Sequence, residues 1–404
     1  MNYKQLYVIT LGIYFLCLPL NAISLSGFGS ALKVLSILPI CFGFLSYTSF
    51  KSNKFIFWYF VFALLSFASL IWSISPINTL DRSITYLLLF LLLASTGSFQ
   101  LGKKDVSLLK TCLIWSSRLS AILILLLGTY SEGRLLLHGI MNEDPNYYCV
   151  YLSFGLIFAI QRLVSKNRRF IRCISILEIC IYLFINLLTG SRGGLLANAV
   201  AVIVFLLIYS EKQSIKLFFK KILFISLCVL AYFLLTNLLN PEIANRFTIE
   251  NVLSDGGTGR VGIWQQGIES FANANLFNKF FGYGSATVRQ MFKNNGYSVT
   301  NVMHNIFLET LVEMGIVGLL IYLALIITFI VASFKCRDKY SFAVLVAMIV
   351  LSLSTSLYSF KPYINIMVFI SLQTRFMEKY QIKLSPNLCY IEEKKFVLTD
   401  TMPR

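Results

Sequence analysis

Long apolar runs separated by short polar segments dominate the chain. Runs at 6–25, 31–48, 55–74, 80–97, 108–128, 147–163, 171–189, 194–210, 217–238, 304–332, 341–358 and 361–376 each approach the roughly 20 residues needed to cross about 30 Å of hydrocarbon. The pattern predicts an all-α polytopic membrane protein with about 12 transmembrane helices. No convincing small-residue cleavage site follows the first run, so it reads as a retained helix and not a signal peptide. The last run is short, and a re-entrant segment is an alternative there. No internal repeat is visible.

Two interruptions are longer than turns. Residues 130–146 form a moderate loop, and 239–303 form one of about 65 residues, rich in Gly and Asn. In the latter, Arg246, Arg260, Lys279, Arg289 and Lys293 oppose Glu242, Glu250, Asp255 and Glu269, leaving the charge nearly balanced. Stretches 262–275 and 285–294 predict short helices lying over the membrane.

Composition agrees with the pattern. Of 404 residues, 57% are apolar and 13% charged, with a mean hydropathy of +0.74. Soluble domains run at about 45–50% apolar and about 25% charged, so a soluble enzyme, a disordered tail protein and a secreted disulfide scaffold are all excluded. Lys and Arg number 35 against 18 acids, a net +17.

That excess is a topology signal. Lys51 and Lys54, Lys103, Lys104 and Lys110, Arg162 to Arg172, Lys212 to Lys221, and Lys335, Arg337 and Lys339 fall in alternate loops. With Lys4 and the basic C-terminal tail they mark the cytoplasmic side, which places both termini inside. The remaining segments sum to about zero charge, so nothing suggests nucleic acid as a partner. Most of the nine cysteines lie in apolar runs, without a disulfide framework or a CxxC pattern, and two histidines cannot build a His-rich metal cage.

Four segments could carry chemistry. In Thr189-Gly190-Ser191-Arg192-Gly193-Gly194, glycines allow a tight turn that would hold Arg192 in a fixed pose suited to a bidentate grip on phosphate. The plainer alternative is a simple interhelical turn with a snorkelling Arg. Gly256 to Trp264 sets Arg260 among glycines, as an anion nest or as a flexible loop. Met303 to Leu311 places His304 at a helix N-terminus, where the dipole favours a neutral ring able to accept a proton. The plainer alternative is a polar interfacial residue near a helix cap.

Asp144-Pro145-Asn146 opens the sixth run, as a helix start or as a source of hydrogen bonds to sugar hydroxyls. Asn305 and Glu309 are further secondary candidates, although Glu309 and Glu313 are also explained as acids favouring a helix start. Arg118 and Glu178 lie at similar depths within spans. They read as a structural ion pair or, more sharply, as part of a proton or substrate relay.

Taken together, DPNYY at 144–148, GSRGGLLA at 190–197, TGRVGIW at 258–264, FGYGS at 281–285 and HNIFLETLVEMGIVG at 304–318 resemble the O-antigen ligase and polysaccharide polymerase superfamily of bacterial membrane glycosyltransferases. The similarity covers roughly 140–330. It implies a GT-C-like helical fold with one long outer-face loop, a site on the outer face of the inner or plasma membrane, and an undecaprenyl-diphosphate-linked glycan as donor. It also implies that Arg192 and Arg260 hold the diphosphate, that His304 activates the acceptor hydroxyl, and that neither metal nor cofactor is required.

By the same resemblance, the chain divides into helices 1–5 over 1–140, a ligase- or polymerase-like core over 141–332 that includes loop 239–303, C-terminal helices over 333–376, and a cytoplasmic tail over 377–404. The DPNYY and HNIFLETLVEMGIVG segments look more like polymerases than ligases. A polymerase would pass the glycan to another lipid-linked unit, and a chain-length regulator is then an expected partner. A ligase would pass it to lipid A–core or another terminal acceptor. A twelve-span transporter of lipid-linked sugars is the non-enzyme alternative. It is disfavoured because no halves repeat and the sixth-to-seventh connection is short.

Overall fold

The computed structural model describes residues 2–25, 29–45, 53–131, 134–137, 145–165, 168–209, 248, 259–297, 301–336, 338–356 and 361–381. Asp144 and the expected span 217–238 lie outside them. So do most of 239–258 and the tail beyond 381.

The first half contains α1 (Tyr3–Leu16), α2 (Ala31–Leu45), α3 (Lys54–Ala68), α4 (Pro76–Ser95), α5 (Lys103–Leu127), α6 (Pro145–Ser165), α7 (Arg169–Leu188) and α8 (Arg192–Tyr209). Three short helices follow, α9 (Arg260–Ala272), α10 (Leu276–Phe281) and α11 (Val288–Asn294). The chain then continues through α12 (Ile306–Lys335), α13 (Lys339–Leu351) and α14 (Lys361–Gln381). Two small antiparallel hairpins complete the described structure, with Leu25 opposite Gly29 in one and Tyr130 opposite Leu135 in the other.

Among the described residues, six helices are long and apolar enough to cross a membrane: Lys54–Ile71, Pro76–Ser98, Lys103–Leu127, Pro145–Ser165, Arg169–Leu188 and Ile306–Lys335. Ala31–Leu45, Arg192–Ile208 and Lys339–Leu351 are apolar but shorter.

The shortfalls against the expected spans have local causes. The first run becomes a 14-residue helix because Pro19 cannot extend it, and Leu18–Ala22 closes into a 3-10 turn. The run at 341–358 ends its helix at Leu351. There Ser352, Ser354 and Thr355 turn their hydroxyls back onto the Met348 and Leu351 carbonyls.

Aromatic side chains fill the centre where α3, α4 and α12 meet. Phe62 lies 5.2 Å from Tyr86 and 5.8 Å from Tyr322, ring to ring, and all three are buried. Through the middle of α14, Ile364 and Ile366 to Ile370 are completely buried. Facing outward are Phe57, Leu64, Leu126, Phe170, Leu320 and Ile327, each more than half exposed. Such a rim suits an apolar surrounding medium and would be a liability in water.

The helix α12 is not continuous. At Gly315 the backbone turns to φ 69°, ψ −169°, which separates a half-helix at 306–314 from a second segment at 316–335. The second segment alone, at 1.5 Å per residue, is about 30 Å long.

The loop after α10 fills the break. The N–H groups of Tyr283 and Gly284 donate to the carbonyls of Val312 and Glu313 at 3.2 and 2.9 Å. Gly282 stacks directly on the Glu313 carbonyl, and Gly315 on that of Phe280, with no room for a Cβ at either. Both have φ near +70°, a conformation that suits glycine.

The other side of this wedge meets the α3–α4 connection. Ile74 N–H donates to the Tyr283 carbonyl at 3.1 Å, Thr79 Oγ1 to that of Ser285 at 2.6 Å, and Ser285 N–H to Ser69 Oγ at 3.2 Å. Broken helices in membrane proteins occur where the freed backbone groups find such partners.

The end of the bundle away from this wedge is basic and cross-linked by ion pairs. Lys4 meets Asp105 at 3.0 Å and Lys110 meets Asp338 at 3.8 Å. Arg118 contacts Glu178 at 2.9 Å, the ion pair that their similar depths suggest. Arg162 joins from the other side at 2.8 Å, so one carboxylate serves two guanidiniums.

Candidate functional site

His304 sits one residue outside the α12 half-helix, half-buried, with φ +50°. The helix cap is Asn305, whose Oδ1 accepts from the Phe307 and Leu308 N–H groups at 3.0 and 3.2 Å. The sequence places His304 at the helix start itself; in the structure Asn305, a secondary site candidate, takes the cap. A left-handed non-glycine backbone costs of order 1–3 kcal/mol and persists only where its surroundings enforce it.

Two sets of contacts do so. From α9, Trp264 Nε1 donates to the Met303 carbonyl at 2.8 Å. From the end of α13, Ser356 Oγ accepts from the His304 N–H at 3.2 Å, and the Ser352 carbonyl accepts from Ile306 N–H at 2.9 Å.

Arg260 opens α9 after Gly259, whose φ is +76°. It lies four residues before Trp264 and is half-buried, on the same helix face. The helix is held by a small core of its own, made of Ile263, Val288, Met291, Phe292, Met303 and Val312. Gly267 lies against the Met303 thioether without space for a side chain. The helices expected at 262–275 and 285–294 therefore appear as α9 and α11, packed on the residues leading into His304, with α10 between them.

Arg192 is the first residue of α8 and is half-buried. The turn ahead of it is braced from three helices. Ser191 Oγ donates to Asn146 Oδ1 at 2.6 Å and accepts from Gly194 N–H at 3.0 Å. Below, Ser153 donates to Asn198 and Asn198 to Asn186, at 2.6 and 3.1 Å. Asn146 thus braces the Arg192 turn.

Gly193 faces Ser354 so closely that a methyl group would strike its Oγ. The serine-rich segment Ser352–Ser356 therefore touches the Arg192 turn with one residue and the His304 backbone with others. By hydropathy the segment belongs to the apolar end of a span, although it carries hydroxyls at 352, 354, 355 and 356.

Glu309 and Glu313 are both completely buried. Glu309 lies in the first turn of α12, as a helix-start acid does, whereas Glu313 lies a turn beyond it. Arg82, in α4, is also buried, with Nη1 donating to Tyr86 Oη at 3.3 Å. Within the wedge, burial pushes the Tyr283 phenol above its ordinary pKa, opposed by a hydrogen bond with Asn278.

No curated protein matches the chain significantly. One solved chain that resembles it comes from work titled "Structural coordination of polymerization and crosslinking by a peptidoglycan synthase complex". Identity is 17%, the alignment covers 84% of this chain and 100% of that one, and the TM-score is 0.49. Residues 177–323, which run from α7 past the break in α12 and include Arg192, Arg260 and His304, match the O-antigen ligase family.

Proposed function

We propose that the protein is a bacterial surface-polysaccharide polymerase that transfers an undecaprenyl-diphosphate-linked glycan to a hydroxyl of another lipid-linked repeat unit. The reading places both termini in the cytoplasm and the site at the outer face of the plasma membrane, in a GT-C-like bundle. The observation that carries it is the meeting of two arginine-bearing segments on one histidine-bearing segment. The Arg260 helix holds the Met303 carbonyl through Trp264, and the Arg192 turn reaches the His304 backbone through Ser354 and Ser356.

In this reading His304 takes the proton from the acceptor hydroxyl, whose oxygen attacks the anomeric carbon. The bond from that carbon to the phosphate oxygen breaks, and the lipid diphosphate leaves with the electron pair. Arg192 and Arg260 stabilise the charge that grows on it, as fixed donors do best where charge develops. The donor arrives already activated, so no nucleotide is needed at the outer face.

The test is His304→Ala in cells, read as glycan chain length on a gel. A general base contributes about 10²–10⁴-fold, so long chains should disappear while the protein persists in the membrane. Unchanged long-chain glycan would remove His304 from the mechanism.

Ligation to lipid A–core or another terminal acceptor is the second reading, and the matched family carries the ligase description. Deleting a polymerase leaves single repeat units attached to the surface. Deleting a ligase leaves polymer trapped on the lipid carrier.

A further inference from the structure

The short helix α10 lies outside the spans, yet its polarity is the reverse of a helix in water. Leu276 is 75% exposed and Phe277 and Phe280 are about half exposed, whereas Asn278 and Lys279 are half-buried. Beside it, the α3–α4 connection leaves Ile71 87% and Ile77 85% exposed. Trp72 joins the two segments, its ring 5.6 Å from Phe277 and 5.9 Å from Phe281. Single exposed apolar side chains are ordinary, but a group of large ones on adjoining segments marks a contact surface.

The spans fix the height of this patch. α3 and α12 run antiparallel side by side, with Phe55 stacked on Phe329 at 4.7 Å, Phe62 near Tyr322, and Leu65 over Gly318. From Lys54, the 18 residues to Ile71 rise about 27 Å. From Lys335 at the same end, the α12 segment rises about 30 Å back to the break at Gly315. Both lengths match the hydrocarbon thickness of about 30 Å, so Trp72 and Gly315 emerge together where the apolar layer stops.

The Phe280 carbonyl lies against Gly315, which sets α10 at that level too. Tryptophan favours this depth, where its ring meets both apolar and polar surroundings. Toward the basic end, Leu64 and Leu320 continue the exposed apolar rim of the same two spans. The patch is thus the upper edge of the surface that faces lipid.

We infer that α10 and the α3–α4 turn form an interfacial foot, which inserts Leu276, Phe277, Phe280, Ile71 and Ile77 into the leaflet away from the basic end. Its partner is the phospholipid bilayer, entered to the boundary between headgroups and acyl chains, as amphipathic surface helices do. The wedge loop follows α10 directly and bonds to Val312 and Glu313, so the foot ties the α12 half-helix to the membrane surface. One consequence rests on the transfer reaction proposed above: the foot sets the height of His304 over a diphosphate carried by lipid.

The experiment uses full-length protein in phosphatidylcholine–phosphatidylglycerol vesicles. Leu276→Trp and Phe280→Trp add an indole to the foot, and Lys293→Trp adds one to the exposed polar end of α11 as the reference. The emission added over wild type is read with and without lipids brominated on the upper acyl chain. Both foot variants should emit further to the blue and be quenched about twofold or more beyond Lys293→Trp. Equal quenching at all three positions overturns the insertion. A blue shift without quenching by lipid also overturns it, because protein then covers the patch.

A second readout addresses the consequence. Leu276→Asp has little packing to lose, so melting in detergent should stay near wild type while glycan transfer in these vesicles falls about three- to tenfold. Normal transfer by Leu276→Asp overturns the height-setting role. Should His304→Ala transfer glycan normally, the parent reading fails and that role falls with it, while the quenching still decides whether the foot enters the membrane.

Discussion

Trp264 donates its indole N–H to the main-chain carbonyl of Met303, 2.8 Å away and one residue ahead of His304. A side chain on the short helix α9 thereby holds a peptide group at the mouth of the longest span. Leaving a largely enclosed carbonyl without its donor costs about 1–3 kcal/mol. Trp264→Phe keeps the apolar bulk and loses the N–H. It should lower glycan transfer about tenfold at unchanged expression, checked by chain-length gels against membrane protein level.

Ser356 holds the other side of the same peptide, accepting from the His304 N–H at 3.2 Å. Ser356→Ala removes that acceptor where the backbone is already in a left-handed conformation. Transfer should fall severalfold with little change in thermal stability, and Ser356→Thr should retain most activity. A fully active alanine variant would show that Trp264 and Ser352 suffice to hold the histidine.

Gly193 and Ser354 give a test of the link between the Arg192 turn and the serine-rich segment. Gly193→Ala drives a methyl group into Ser354 Oγ, and overpacking of this kind costs about 1–3 kcal/mol. The variant should melt earlier in detergent and transfer less. Ser354→Gly in the same chain should relieve part of both defects, and strict additivity of the two changes would argue against their contact.

Glu178 separates a structural ion cluster from a relay. Its carboxylate lies between Arg118 and Arg162, with contacts of 2.9 and 2.8 Å, and all three side chains are about one-fifth exposed. Glu178→Gln leaves two guanidiniums facing each other and should cost about 1–3 kcal/mol, less than a fully buried pair because solvent screens part of the repulsion. The melting temperature should drop while transfer per folded molecule stays near wild type. Loss of transfer in folded protein would favour the relay.

Asp338 caps α13 at the basic end. Burial would raise its pKa, but Lys110 at 3.8 Å and hydrogen bonds from Gln373, Ser341 and the Tyr340 N–H outweigh it and hold the carboxyl below its ordinary value of 3.8. A depressed folded-state pKa contributes stability that is complete above the unfolded value and is lost as pH falls through the folded one. Acid melts should therefore weaken the wild type progressively below about pH 4, while Asp338→Asn starts less stable at neutral pH and shows a flatter acid limb.

The sequence made the helical bundle legible because apolar run length is a direct consequence of hydrocarbon thickness. The pairing of Arg118 with Glu178 was legible for a related reason: depth along a span can be counted. What sequence could not display were contacts made across the chain by main-chain atoms. The FGYGS segment stands out as a motif, but its docking onto Val312 and Glu313 uses backbone N–H and carbonyl groups that carry no sequence signature. Ser352–Ser356 was absorbed into an apolar segment because hydroxyls weigh little in hydropathy.

The contact of Gly282 with Glu313, and of Gly315 with Phe280, has an implication for how the protein can change. These junctions are main chain against main chain, and any added carbon would collide. Val261, Gln265, Ile268 and Glu269 on α9 lie open, where replacement disturbs little packing. Tolerance to mutation should therefore be sharply uneven within a few nanometres. A stiff mount that accepts almost no substitution adjoins a surface free to diversify, so new surface chemistry can be tried on α9 without unseating the histidine beneath it.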